Sequence, residues 1–252
     1  MVNDPTRILQ RTSLLRVLRR EGINSFDVWR LADGERPDRF PVFIRGEADH
    51  FGPLTELLHD RDELERALEE LLASHQVALH DLIAVEYRAE TIDGERFRKM
   101  AAYRVGDRIV PGMIIINTHW RAKEGTAGIA TQEDYDHEQE LHDAYPWGRV
   151  IRRAFELASI EYGRADFGIV RGRPEIYEIN TNPMMTDLPT HWNDTKMATF
   201  EAMIGRYDEA ILALDATPGP TDQTVRLRPD PPPKPPATRR SRLRRRFPRF
   251  TL

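Results

Sequence analysis

Two acidic side chains stand in a stretch that otherwise has the pattern of a β-hairpin. In RADFGIVRGRPEIYEINTNP, residues 164–183, Asp166 lies in the first apolar run and Glu178 in the second, with a turn at Gly172 between them. A three-residue loop at 171–173 would place Asp166 and Glu178 directly opposite each other, on one face with Asn180, because side chains alternate along a strand. Like charges in that position are destabilising and need a compensating partner.

Solvent, a neighbouring arginine or a divalent cation could compensate these acids. Two carboxylates and an amide oxygen are the oxygen ligands that Mg²⁺ takes, often together with nucleotide phosphates. The alternative is a surface hairpin whose acids pair with Arg164, Arg171 or Arg173. The segment EINTNP favours the metal site, because asparagine and threonine after an apolar strand turn the chain toward a polar feature.

The same stretch resembles the metal-binding hairpin of the ATP-grasp family, in which Asp-Phe, a glycine turn and Glu-x-Asn-x-x-Pro follow one another. The matching residues are Asp166, Phe167, Gly172, Glu178, Asn180 and Pro183. The resemblance implies that Asp166, Glu178 and Asn180 hold one or two Mg²⁺ ions, or Mn²⁺ in their place, against the phosphates of ATP.

The resemblance extends over most of residues 3–205 and implies further nucleotide contacts. FPVFIRG, residues 40–46, resembles the strand that carries a phosphate-contacting base, with Arg45 where the family usually has lysine, and a phosphate-covering loop follows it. Arg11 lies where the family has another lysine. The later strands present two more candidate bases, Lys99 and Arg104. By resemblance, Arg45 with Lys99 or Arg104 is catalytic.

The segment VEYRAE resembles the adenine hinge of the family. The resemblance implies that Glu86 and the backbone of Tyr87 face the base, and that Glu90 or Asp93 meets the ribose. Trp120 is a candidate to stack on a substrate, with packing as the alternative.

The activity implied is that of an ATP- and Mg²⁺-dependent ligase. ATP would phosphorylate the carboxylate of a small or peptide-like substrate, and an amine or thiol would then displace phosphate. The alternative is a degenerate nucleotide-binding or scaffold protein. Arginine in the place of lysine and the acidic Glu47 and Asp49 of the loop favour that alternative. The additional N-terminal domain that the family usually has does not precede the match, and it is either lost, supplied by a partner or encoded upstream; its loss would favour the same alternative.

Periodicity predicts an α+β fold with largely antiparallel sheets, since strands and helices do not alternate strictly. Helices are expected at residues 6–21, 60–75, 131–161 with a break at 145–148, and 194–214. Strands are expected at 26–31, 40–46, 82–90, 96–105 and 108–117, followed by the hairpin. By resemblance, residues 1–85 and 86–216 form two ATP-grasp subdomains that grip a nucleotide between them.

Composition separates the last 36 residues from the rest. Residues 217–252 contain nine of the 18 prolines and carry ten basic side chains against two acidic ones, so this tail is expected to be disordered and has a net charge of +8. The whole chain has a net charge of −4, which leaves −12 for the body. The tail is a candidate to contact nucleic acid, an anionic membrane or a protein partner.

Other classes of protein are excluded or disfavoured by the sequence. There is no cysteine, so disulfides and thiolate metal sites are excluded. Neither a phosphate-binding loop of the Gly-x-x-x-x-Gly-Lys type nor a dinucleotide-binding glycine motif is present. The N-terminus lacks the apolar core of a signal peptide, and no run of about 18 apolar residues occurs, so a cytoplasmic protein is expected.

Overall fold

The computed structural model describes residues 3–48, 52–122, 125–126, 128–183 and 191–215. Two predicted features therefore lie outside the described residues. One is the basic tail at 217–252, and the other is the tip of the predicted phosphate-covering loop at 49–51.

Five α-helices and eight β-strands make up the described part of the chain. The helices are α1 Arg11–Arg20, α2 Arg61–Ala73, α3 Gln132–Ala144, α4 Gly148–Leu157 and α5 Asp194–Asp215. The strands are β1 Val28–Arg30, β2 Val42–Gly46, β3 Leu82–Glu86, β4 Phe97–Val105, β5 Arg108–Pro111, β6 Ile115–Asn117, β7 Tyr162–Val170 and β8 Arg173–Asn180. Each predicted helix and strand therefore corresponds to an observed element, and the 108–117 segment is divided between β5 and β6.

The strands form two separate sheets. The first sheet has three strands in the order β1-β3-β2, and the second has the order β5-β4-β7-β8 with β6 also paired to β4. All of these pairings are antiparallel. The structure thus confirms the predicted α+β class with antiparallel sheets.

Helix α1 packs against both sheets. Leu14 and Leu18 belong to the core that contains α4 and the hairpin strands β7 and β8, whereas Leu15 packs with Phe26 and Val85 beside the first sheet. All three leucines are at most 2% exposed. The apolar residues of α1 therefore point to two sides, and the helix fixes the first sheet relative to the second.

Local sequence signals explain where α2 and α3 begin. Asp60 caps α2 by accepting a hydrogen bond from the Glu63 backbone N at 2.9 Å. Thr131 and Asp134 form a reciprocal capping box at the start of α3. Helix α5 packs on the edge of the second sheet, where Met203 and Tyr207 join Tyr103 and other apolar residues of β4 and β5.

Helix α3 holds the connection between β5 and β6 through two buried polar side chains. His142 is 5% exposed, and its Nε2 lies 2.9 Å from the Gly112 carbonyl oxygen. Glu138 Oε1 accepts a hydrogen bond from the Ile114 backbone N at 2.7 Å. These contacts satisfy backbone groups that would otherwise be buried without partners.

Among the described residues, no helix has the length and apolar character needed to cross a lipid bilayer.

Stability should depend on pH through His142. Burial lowers the pKa of His142 from its ordinary value of 6.5, and nearby Glu138 only partly opposes the effect. Below about pH 6.5 the unfolded chain therefore binds a proton that the folded protein does not. As the pH is lowered below about 6.5, the free energy of unfolding should decrease by up to about 1.4 kcal/mol per pH unit, until the pH reaches the pKa of His142 in the folded protein.

A comparison with His142→Gln isolates this effect, because the amide can still donate to Gly112 but does not titrate. Urea unfolding at pH 7.5 and 5.5 should show a smaller loss of stability in His142→Gln than in the parent. His137→Gln on the same helix, where the side chain is 44% exposed, is the matched control. Equal losses in all three proteins would contradict the role of His142.

Candidate functional site

A cleft of about 240 Å³ opens between the two sheets. Arg45, Val85 and Glu86 line it from β2 and β3, and Lys99, Asp166 and Glu178 line it from β4, β7 and β8. Seven of the twelve residues that the sequence predicts for the site therefore line this cleft: Arg45, Glu86, Tyr87, Lys99, Trp120, Asp166 and Glu178. An eighth, Arg11, reaches Glu178 from α1.

The hairpin of β7 and β8 places the two predicted acids opposite each other. Asp166 pairs with Glu178 in the register, as the sequence predicts. The turn, however, has two residues instead of three, because Val170 pairs with Arg173. Arg171 and Gly172 both adopt positive φ angles, 51° and 76°, which is the pattern of a tight two-residue hairpin turn.

A β-bulge restores the pairing that the shorter turn would otherwise shift. Phe167 pairs with Ile176 and Asp166 with Glu178, so Tyr177 is one extra residue in β8. Tyr177 and Glu178 consequently both line the cleft. The bulge thus supplies an aromatic wall and a carboxylate from two consecutive residues, which the alternation of a regular strand would separate.

Tyr177 crosses the face of the hairpin over Gly168. A Cβ atom added at Gly168 would lie 2.2 Å from the Tyr177 hydroxyl oxygen and 3.0 Å from Cζ. The hydroxyl donates a hydrogen bond to the Arg88 carbonyl oxygen at 2.9 Å. Glycine at 168 therefore makes room for a ring that ties the hairpin to the segment after β3.

Glu178 receives two arginines from other parts of the fold. Arg11 Nη2 of α1 and Arg45 Nη2 of β2 donate to Glu178 Oε2 at 2.9 and 3.0 Å. Both arginine side chains are 9% exposed. Burial would raise the pKa of Glu178, but the charges and hydrogen bonds of Arg45 and Arg11 outweigh it and lower this pKa below its ordinary value. Glu178 is therefore an anion in the folded protein.

Asp166 is neutralised by two other cations. Arg164 Nε of the same strand donates to Asp166 Oδ1 at 2.8 Å, and Lys99 Nζ of β4 lies 3.5 Å from Oδ2. Asp166 is only 6% exposed. The pairing with Arg164 is one that a surface hairpin would also predict, but the burial of Asp166 places the pair inside the protein. The sequence analysis names Arg164 as a possible partner, and the spacing agrees, because residues two apart in a strand share a face.

Two arginine donors that line the cleft, the Nε atoms of Arg45 and Arg121, are buried without a hydrogen-bond partner among the described residues. Arg45 is only 7% exposed, so within the described part of the chain its Nε is a buried donor without an acceptor. An unpaired buried donor is costly, so such groups point to a missing acceptor. An anionic oxygen, such as that of a phosphate, would satisfy it.

The two carboxylates also fit a hard divalent cation. Asp166 and Glu178 face each other across one register position and line the same cleft, and an ion between them could complete its shell with phosphate oxygens and water. Asn180 is not among the residues that line the cleft, and its Oδ1 accepts a hydrogen bond from Asn182 N at 2.8 Å. Within the described ranges, no cluster of three or more histidine, aspartate or glutamate side chains is arranged for a metal.

Aromatic side chains form a different part of the cleft wall. The ring of Trp120 lies 5.2 Å from that of Phe43 and 5.6 Å from that of Tyr87, measured between centroids. All three residues line the cleft. This wall suits a planar heterocycle, and neither Phe43 nor the bulge residue Tyr177 was identified from the sequence.

The sequence predicts that Glu86 contacts the base, whereas in the structure its side chain is bound by other residues of the protein. Its side chain is 1% exposed, accepts a hydrogen bond from Asp27 N at 3.0 Å, and forms ion pairs with Arg39 and Arg88 at 3.1 and 2.7 Å. These contacts fix the end of β3, which leads into Tyr87.

Three other predicted residues lie away from the cleft lining. Arg104 donates to the carbonyl oxygens of Gly106 and Ile160. Glu90 accepts a hydrogen bond from Arg171 N at 2.9 Å. Asp93 forms an ion pair with Arg96 at 2.7 Å. Their predicted roles toward a nucleotide stay predictions.

Comparisons with known proteins give partial structural likenesses. No family model matches the chain, and no curated protein matches its sequence. A D-alanine–D-alanine ligase from Bacillus anthracis complexed with ATP is similar with a TM-score of 0.49 and 16% identity, over 84% of this chain and 68% of the ligase. An L-amino acid ligase from Bacillus licheniformis is similar with a TM-score of 0.41 and 15% identity, over 70% of this chain and 41% of the ligase. A D-alanine–D-alanine ligase from Helicobacter pylori is similar with a TM-score of 0.40 and 10% identity, over 81% of this chain and 58% of the ligase.

These likenesses are all below a TM-score of 0.5. The functional proposal below therefore depends on the residues of the cleft and on the sequence motif.

Gly168→Ala should destabilise the protein by about 1–3 kcal/mol, because the added methyl group forces Tyr177 to move. The same substitution should cost less in a Tyr177→Phe background, since the atom at 2.2 Å is then absent. Urea unfolding of the two single variants and the double variant measures this coupling. An equal cost of Gly168→Ala in both backgrounds would show that Tyr177 does not occupy this space.

Proposed function

We propose that the protein is an ATP- and Mg²⁺-dependent ligase of the ATP-grasp type, which joins a carboxylate to an amine or a thiol through an acylphosphate. The observation that carries the proposal is the cleft between the sheets. It combines paired acids, basic side chains from three separate elements and an aromatic wall. The motif around Asp166 and Glu178 supplies the identity of the nucleotide, and the predicted subdomain boundary near residue 85 is part of the same proposal.

The nucleotide would lie with its phosphates at the charged part of the cleft. Arg11, Arg45 and Lys99 come from α1, β2 and β4, so they approach a phosphate chain from different sides. The base would lie against Phe43 and Trp120, with the backbone of Tyr87 beside it. The unpaired Nε of Arg45 supports the placement of an anion near it.

Asp166 and Glu178 would hold Mg²⁺, and Asn180 is kept as a proposed third ligand. When bound, the ion would offset the negative charge of the phosphate oxygens. Both acids are already held in place by arginines, so their position does not depend on a bound ion.

In the proposed reaction, a carboxylate oxygen of the substrate attacks the terminal phosphorus of ATP. The bond to the bridging oxygen breaks and ADP leaves. An amine or thiol then attacks the carbonyl carbon, the bond to phosphate breaks, and the nucleophile gives up its proton. Arg45 and Lys99 would stabilise the negative charge on the transferred group, because fixed cations near developing charge lower the barrier. Arg104 stays a proposal without support from its position.

Binding of ATP should require Mg²⁺ and both sides of the cleft. We expect calorimetry to detect ATP binding with Mg²⁺, and Arg45→Met to weaken it by at least tenfold through loss of a phosphate contact. Glu178→Gln should mainly weaken the dependence on Mg²⁺, because it keeps the shape of the side chain but removes the charge.

Controls for these variants lie on the surface. Arg108→Met is the control for Arg45, since the Arg108 side chain is 54% exposed, and Glu156→Gln is the control for Glu178, since the Glu156 side chain is 44% exposed. Unchanged ATP affinity in folded Arg45→Met, together with an unchanged Mg²⁺ dependence of ATP binding in folded Glu178→Gln, would contradict the assignment of the cleft as the nucleotide site.

Turnover separates an enzyme from a nucleotide-binding protein that has lost catalysis. We expect release of phosphate from ATP in the presence of a suitable pair of substrates, tested over a panel of amino acids and short peptides. Lys99→Met should lower kcat by about a hundredfold or more if Lys99 stabilises the transferred group, since removal of one such donor has an effect of that order. ATP binding without phosphate release over the panel would favour the degenerate alternative.

A further inference from the structure

A second cavity of about 480 Å³ lies beside β6, between α3 and α5. Its walls are largely apolar and include Met113, Ile114, Ile116, Met197 and Phe200. A space of this size can hold an amino-acid side chain or a short peptide, and mostly apolar walls with a few polar groups are typical of small-molecule sites.

The charged groups in this cavity are already neutralised by protein partners. Lys196 Nζ lies 2.9 and 2.6 Å from the two carboxylate oxygens of Glu138, and it also donates to the Ile114 carbonyl oxygen at 3.1 Å. Asp134 pairs with Arg96 at 2.5 Å. A charged ligand group in the cavity would have to break one of these pairs, whereas an uncharged apolar group would not.

Three aromatic rings border the cavity. The ring of Tyr135 lies 5.4 Å from His191 and 5.9 Å from Trp192, and His191 stacks on Trp192 at 5.4 Å. Trp192 is 72% exposed, although tryptophan is usually well buried. An exposed aromatic group at the edge of an apolar cavity is available to cover an apolar ligand.

Paired residues of β6 and β4 connect the lining of the cavity to the lining of the cleft. Ile115, which also lines the cavity, pairs with Lys99 in the register of β6 and β4, and Lys99 lies 3.5 Å from Asp166. Residues paired in this way lie about 4.5–5.5 Å apart. A substrate whose side chain filled the cavity would therefore have its backbone groups close to the phosphates of a nucleotide in the cleft.

From these observations we infer that the cavity binds the side chain of one of the two substrates, and that this substrate is an amino acid or short peptide with a large apolar or aromatic side chain. The inference rests on the proposed ligase function. The apolar walls and the neutralised ions set the chemical class, and the register of Lys99 and Ile115 sets the location.

Binding of free amino acids to the full-length protein tests this inference. With Mg²⁺ and a non-hydrolysable ATP analogue present, ligand-observed NMR should show that L-phenylalanine and L-leucine bind at least tenfold more tightly than L-alanine and L-glutamate. Trp192→Ala should weaken phenylalanine binding by about tenfold. Leu212→Ala, an exposed residue of α5 outside the cavity, is the matched control and should have no effect.

The possible results separate the two proposals. Equal binding of alanine or glutamate, or phenylalanine binding that is unchanged in Trp192→Ala, would overturn the inference while MgATP binding leaves the proposed function standing. If phenylalanine binding depends on Trp192 but the protein does not bind MgATP, the result would support an apolar binding site in the cavity and contradict the proposed ligase function. Absence of binding by both MgATP and phenylalanine would overturn both proposals.

Discussion

The carboxylate of Glu178 joins three elements that are distant in the sequence. Its Oε2 accepts hydrogen bonds from Arg11 of α1 and Arg45 of the first sheet, while Glu178 itself belongs to the second sheet. Arg11 also donates through Nη1 to the Gly46 carbonyl oxygen at 2.8 Å, so the helix is tied to the end of β2 as well. At the cleft, Glu178 thus links the two sheets in addition to the packing of α1 against both of them. A buried ion network of this kind stabilises a particular arrangement only if every member keeps its partner.

Among the described residues, each carboxylate of this network has two cationic partners. Four cationic side chains surround two carboxylates, namely Arg11, Arg45, Lys99 and Arg164 around Asp166 and Glu178. A buried donor without an acceptor is unfavourable, and the described residues offer no acceptor for the Nε of Arg45. A bound anion would supply the missing acceptor, and a magnesium-bound triphosphate stays anionic. The arrangement is therefore better explained as a site for an anion than as a purely structural ion-pair network.

The sequence predicts most of this fold because its elements have strong local signals. Apolar periodicity and helix caps such as Asp60 give the helices and strands, and the alternation along β7 and β8 gives the opposed acids. The pairing of Asp166 with Glu178 is correct although the predicted loop is one residue too long, because a bulge at Tyr177 offsets the shorter turn. Neither deviation has a clear local signal: Arg171 adopts a positive φ that is unusual for a residue other than glycine, and a bulge depends on the packing around it.

Strand geometry shows that only one of the two candidate bases of β4 can face the cleft, and the register of the sheet shows which one. Lys99 and Arg104 are five positions apart, so a regular strand directs them to opposite faces, and only one of them can face a given cleft. The register decides which: Ala101 pairs with Asp166, so the odd-numbered residues of β4 share the face of that carboxylate. Lys99 accordingly reaches Asp166, while Arg104 is bound to the carbonyl groups of Gly106 and Ile160. One strand can present only a few cations to one face of a sheet. The cationic side chains of this cleft therefore come from a helix and from both sheets, and the geometry of the cleft depends on how the helix and the sheets pack.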